Sequence, residues 1–125
     1  MSIQRLHSNP RLSGAVTFAD LVFLSGQVPG ASTDIAGQTR EVLEKIDALL
    51  AEAGSDKHHL LSATLYLKDI QADFGAMNEV WAAWLPAGQA PARTTLQAAL
   101  ARPQILVEIS VIAARRASAL NPNGE

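Results

Sequence analysis

The sequence has no cysteine, which excludes a disulfide framework, a thiolate nucleophile and a thiolate-bound metal. It has no long run of one charge sign, and its formal net charge is −2. An electrostatic track for nucleic acid is therefore not expected. The first residues, Met1-Ser2-Ile3-Gln4-Arg5, lack the apolar run of a signal peptide, and no stretch approaches the roughly 18 apolar residues of a membrane span. The expected compartment is the cytoplasm. Internal repeats and low-complexity stretches are missing, as are Gly-x-Gly-x-x-Gly and Gly-x-x-x-x-Gly-Lys phosphate loops. The histidines His7, His58 and His59 form no His-x-x-x-His pair, no carboxylates cluster at ligand spacing, and no metal site is expected. Ser13, Ser25 and Ser62 stand outside any nucleophile-elbow context.

What remains is 125 residues, 48% hydrophobic and 18% charged, the size and composition of one globular domain. Residues 1–116 are expected to form it, with a loose polar tail over 117–125. Short strands are expected over Ile3–His7, Ala15–Phe18 and Leu21–Ser25, with Asn9-Pro10 breaking the first. From Asp34 the period changes. Val42, Leu43, Ile46, Leu49, Leu50 and Ala53 fall on one helical face, Asp34 suits the N-cap and Gly54 the C-terminal end. Leu60–Leu67 alternates as a strand, with Leu61, Ala63, Leu65 and Leu67 as its apolar face. A second helix is expected from about Asp73 to Leu85. Its stripe of Phe74, Met77, Trp81 and Trp84 reads as core packing, and Pro86 and Gly88 stop it. Residues 91–98 and 105–113 read as neighbouring antiparallel strands.

The element order is therefore β-β-β-α-β-α-β-β. Strand-helix-strand crossovers place both helices on one face of a single sheet. The third and last strands are apolar on both faces, so the uncovered face needs a partner, and another copy of the chain is the simplest one.

Two charged residues stand out. Arg93 begins an otherwise uncharged strand, where Arg93, Thr95 and Gln97 share one face. Its planar fork matches a carboxylate. Glu108 lies in the apolar run Ile105-Leu106-Val107-Glu108-Ile109, where a charge is costly unless paired. If the last two strands pair, Arg93 falls opposite roughly 108 to 110. A buried ion pair and a functional site explain this pattern equally well. Arg115-Arg116 reads as solvated. His58 and His59, adjacent at a strand start, are expected on opposite faces.

The stretch Pro91-Ala92-Arg93-Thr94-Thr95-Leu96, followed by Val107-Glu108-Ile109, resembles the signature of the Rid (reactive intermediate deaminase) family, also called YjgF-like. Leu24-Ser25-Gly26-Gln27 and Asp73-Phe74-Gly75-Ala76-Met77-Asn78 are similar to two further motifs of that family. The resemblance covers about Arg5 to Arg115. It implies a chorismate-mutase-like α+β homotrimer with ligand clefts between subunits, and cofactor-free hydrolysis of reactive 2-imino or enamine acids to 2-oxo acids and ammonia. By the same resemblance Arg93 grips the substrate carboxylate and Glu108 positions or activates water. Ser25, Asn78, Thr94 and Thr95 line the pocket, and Leu12 falls near the place of a pocket tyrosine in the best-characterised branch. A trimeric module that binds small carboxylates without catalysis is the alternative. A ribonuclease, a role attached to some relatives, is disfavoured by the acidic balance.

Overall fold

Two aspartates start the two helices. Asp34, in extended conformation, accepts the Gly37 N–H at 2.9 Å and opens α1, Ile35–Glu52. Gly54 follows the helix with φ 85, the left-handed conformation that lets the chain turn away at little cost. Asp69 accepts the Ala72 N–H at 3.1 Å and opens α2, Ile70–Trp84. The second helix thus begins a turn earlier than its apolar stripe suggested, because Asp69 rather than Asp73 supplies the missing acceptor.

The computed structural model describes residues 2–117, so the expected tail lies, from residue 118 onward, outside the described residues. Six strands form one sheet: β1 Ile3–Ser8, β2 Ser13–Phe18, β3 Leu21–Leu24, β4 Leu60–Leu67, β5 Ala92–Gln97 and β6 Val107–Ala114. Their order is β1-β2-β3-β6-β4-β5. Only β4 and β5 run parallel; the other neighbours are antiparallel. The expected β5–β6 hairpin is therefore wrong. β6 has no fully exposed position and sits in the middle of the sheet, whereas β5 is mostly exposed and forms an edge. β6 takes the middle because it pairs along both edges, with β3 and β4, and lays Val107, Ile109, Val111 and Ala113 under the helices, whereas the polar β5 suits an edge.

Tight turns set the register. β2 and β3 are joined by Ala19-Asp20, with Phe18 opposite Leu21 and Ala19 at φ 54. Near the start of β4 the register slips between Leu60 and Ser62. That irregularity reverses the expected alternation: Leu60 is buried, whereas Leu61 is 47% exposed.

Both helices lie on one face. There α1 packs on β3 and β6, and α2 on β4. Ile46 and Leu50 from α1, Met77 from α2, Leu65 and Leu67 from β4 and Ile109 from β6 are fully buried. Each such side chain contributes roughly 1.5–3 kcal/mol by leaving water. The opposite face of the sheet has no helix, and Ile3, Phe18, Phe23 and Leu96 lie exposed on it.

Candidate functional site

Arg93 and Glu108 do not meet within the chain. Arg93 lies beside Ala63 of β4, and Glu108 beside Tyr66 of the same strand. These two neighbours are three positions apart, an odd number, so the side chains point to opposite faces of the sheet. The charged groups are also on second-neighbour strands, about 10 Å apart across the sheet. A buried ion pair between them, one of the two sequence readings, is thereby excluded.

Arg93 points to the helix side, at the edge, against α2. Its Nη1 donates to Asn78 Oδ1 at 2.7 Å. Its Cζ lies 5.8 Å from the centre of the Phe74 ring and 5.9 Å from that of Trp81. This corrects the reading of Phe74 as a core residue: it is 42% exposed and faces the guanidinium, while Met77 and Trp81 fill the core. Partial burial moves the Arg93 pKa down, but a guanidinium stays charged near neutrality. The Asn78 bond is its one hydrogen bond among the described residues, which leaves most of its five N–H donors available.

Thr95 shares the Arg93 face, beside Leu65. Its Oγ1 is buried and has no hydrogen-bond partner among the described residues. Thr94 points to the other, helix-free face, in line with Thr64 and Ser110.

A second group forms at the end of β3. Gln27 exchanges both backbone hydrogen bonds with Ile109, at 2.8 and 3.1 Å, which presses Gly26 against Glu108. A Cβ built on Gly26 would overlap the Glu108 carboxylate. Gly26 has no positive φ, so here glycine is needed for space rather than backbone freedom. Glu108 forms no hydrogen bond or ion pair among the described residues. Ser25 donates to Gly14 O at 3.3 Å and is 3.3 Å from Gln27 Nε2. Ser25 and Leu12, the latter 53% exposed, line one open cleft of about 470 Å³ with His7, Lys45 and Glu52.

The residues expected to act together thus fall into two groups: Arg93, Asn78 and Thr95 under α2, and Ser25, Leu12 and Glu108 near Gly26. Sequence reasoning missed Phe74, whose helical spacing matches that of core residues. It noted Gly26 as a place of close backbone approach, but the crowding side chain is Glu108. Two further expectations are corrected. His58 and His59 lie in a 3-10 turn, Lys57–His59, where His58 meets Gln89 at 2.9 Å and His59 meets Asp56 at 2.7 Å. Arg116 is not simply solvated: it donates to Ser55 O at 2.6 Å. Arg115 reaches Ala19 O at 3.4 Å.

A six-stranded mixed sheet backed by two helices on one face, with this half-open arginine at its edge, is the chorismate-mutase-like α+β class. The family model described as Endoribonuclease L-PSP matches residues 2–115. The RutC family protein YoaB of Escherichia coli strain K12 is 40% identical over 114 residues, covering 91% of this chain and 99% of that protein. A crystal structure of a YjgF-family member from Neisseria meningitidis is 48% identical, with a TM-score of 0.90, over 93% of this chain and 97% of that one. YyfA from Yersinia pestis, described as a Rid-family protein of unknown function, is 32% identical with a TM-score of 0.79, over 86% and 90% of the two chains. The chain belongs to the YjgF/RutC family, the Rid-like family its motifs resemble.

Proposed function

We propose that the protein hydrolyses reactive 2-imino and enamine acids to 2-oxo acids and ammonia, in clefts between the subunits of a homotrimer. The observation that carries this reading is the Arg93 guanidinium, held at a sheet edge with one hydrogen bond and donors to spare. A charged planar fork in that state calls for a carboxylate. Glu108, without a hydrogen bond or ion pair among the described residues, is the complementary base. The two lie on opposite faces of one sheet, so a complete site requires Arg93 of one copy and Glu108 of another. Edge strand β5 and the apolar helix-free face provide surface for that assembly.

In this reading Arg93 fixes the carboxylate. Glu108 accepts a proton from water as the oxygen adds to the C=N carbon and returns it to the nitrogen, which then leaves as ammonia. Collapse of the tetrahedral adduct expels ammonia and leaves the 2-oxo acid; an enamine first takes a proton on carbon to become the imine. Ser25 and Leu12 line the cleft that reaches Gly26, the residue packed against Glu108. Thr94 and Thr95 flank Arg93, and Asn78 holds it. The imine carbon is electrophilic already, so orientation and proton transfer suffice, without metal or organic cofactor. Among the described residues no helix is long and apolar enough to cross a membrane, and the cytoplasm is the compartment this reading assigns. With a net charge of −2, a ribonuclease role gains no electrostatic support.

The separation of Arg93 from Glu108 within one chain favours one second reading, a trimeric module that binds small carboxylates without catalysis. Imines generated by an amino-acid oxidase distinguish the two. Faster imine decay with the protein present is expected. Tight 2-oxo acid binding with no acceleration would leave only the binding module. The mass in solution should be that of a trimer; a monomer that still accelerates decay would remove the inter-subunit cleft.

A further inference from the structure

α2 presents Phe74, Asn78 and Trp81 to Arg93 at positions i, i+4 and i+7, one stripe of the helix. Each meets the guanidinium differently. Asn78 Oδ1 takes Nη1 at 2.7 Å. Phe74 and Trp81 place ring centres 5.8 and 5.9 Å from Cζ, within the range where an aromatic face attracts a cation. Trp81 is 5% exposed and fixed by the core, whereas Phe74 is 42% exposed. One ring is therefore rigid wall and the other an outer rail.

A guanidinium offers a carboxylate two bidentate edges: the end formed by Nη1 and Nη2, and the side formed by Nε and Nη2. Asn78 takes one of the two N–H groups of Nη1, so the end edge contains a nitrogen that is already engaged, whereas neither nitrogen of the side edge is. We propose that Phe74, Asn78 and Trp81 are positioning residues that hold the Arg93 plane so that the substrate carboxylate is taken side-on, by Nε and Nη2. The inference rests on the function proposed above for its ligand, and it assigns the orientation of that ligand. It gives Asn78 a role through Arg93 rather than in direct contact with substrate.

The test is nitrogen-15 NMR of the arginine Nε–Hε groups, with the Arg93 signal assigned by its loss in Arg93→Lys, together with calorimetric titration of 2-oxobutanoate. In wild type the Arg93 Nε–Hε signal should be resolved near neutral pH and shift on titration, as side-on capture requires. Phe74→Leu, a change at an exposed position that keeps apolar bulk, should broaden that signal and weaken 2-oxobutanoate about tenfold. Phe74→Tyr, which keeps the ring, should restore both to within about twofold of wild type. Binding that leaves the Nε–Hε signal unmoved means end-on capture and overturns the proposal, as does Phe74→Leu with wild-type affinity and signal. If wild type binds no 2-oxo acid, the proposed function fails by itself. The signal of the free protein then decides the cradle: broadening in Phe74→Leu and recovery in Phe74→Tyr support it, and three identical spectra overturn it.

Discussion

Strands β5 and β6 each carry one charged group of the candidate site, and they hold it in opposite ways. β6 lies in the middle of the sheet with Val107, Ile109, Val111 and Ala113 buried. Glu108 stands on the helix-free face, where Gly26 gives it room and nothing among the described residues binds it. β5 is an edge with one neighbour, β4. Its Arg93 is nevertheless held by three side chains of α2. The rigid strand carries the loosely held group and the exposed strand carries the clamped one. A carboxylate that must take and return a proton needs freedom from competing donors, whereas a cation that must orient a ligand needs support.

The sharpest way to break this comparison is at the clamped group. Arg93→Ala should abolish 2-oxo acid binding, at least a hundredfold in affinity by calorimetry, in keeping with about 2–5 kcal/mol for losing one partner of a charge-assisted pair. Unchanged affinity would remove Arg93 from recognition altogether. Glu108→Gln should instead leave affinity within about threefold and slow imine hydrolysis roughly a hundredfold, the usual size of a lost proton-transfer group. Gly26→Ala sharpens the same point, because it crowds the carboxylate without a forbidden backbone angle. It should reproduce the slow hydrolysis of Glu108→Gln with its melting temperature little changed. Hydrolysis at the wild-type rate in either variant would free Glu108 from the proposed role.

Smaller effects probe how each strand is anchored. On β5 the buried Thr95 hydroxyl, unpaired among the described residues, is a cost to folding. Thr95→Val, of nearly the same shape, should leave stability unchanged or raise it by up to about 1 kcal/mol in denaturant unfolding. A clear loss would reveal a hydrogen bond made in the assembled protein. On β6 the C-terminal end is tied down through Ser55, whose Oγ donates to Ala114 O at 2.6 Å, and through Arg116 bound to Ser55 O. Beside this anchor, partial burial works to raise the Asp56 pKa, but the hydrogen bonds from His59 and from the His58 N–H, with the nearby imidazole charge, outweigh it and leave the pKa below its ordinary value. A carboxylate lowered in the folded state adds stability above its unfolded pKa of about 4. That stability is lost as pH falls through the lowered value. Asp56→Asn should therefore flatten the acid side of a melting-temperature profile below about pH 4, leaving little difference from wild type at the lowest pH. Parallel profiles for the two proteins would contradict the assignment.

Much of the fold was legible because the local signals agreed. The Asp34 cap, the apolar face from Val42 to Ala53 and Gly54 bound α1 together, and Leu60–Leu67 is the strand its alternation indicated. Features that depend on distant parts of the chain were not legible. Local alternation describes a strand but not its neighbour, so β5 was paired with the wrong partner. The apolar run of β6 is compatible both with a central place in the sheet and with a partner chain, and local pattern does not separate the two. The slip at Leu60 and Ser62 leaves no mark in composition, so Leu61 was assigned to the wrong face. Of the site, Arg93 and Glu108 were visible as charges in apolar strands. Their placement on opposite faces follows from β4 lying between them. Phe74 was unreadable as a site residue because an aromatic at helical spacing looks the same whether it meets a core or a cation.

The indole rings of Trp81 and Trp84 lie 5.5 Å apart, inclined at 39°. They are the chain's two tryptophans. One is in van der Waals reach of the core next to a cation, and the other donates to Asp47 at the surface. Two chromophores so close exchange excitation, and a charge neutralised beside one alters the emission of both. The molecule therefore has an intrinsic optical reporter beside Arg93, through which occupancy of the proposed site can be followed by fluorescence without a dye, a label or an added chromophore.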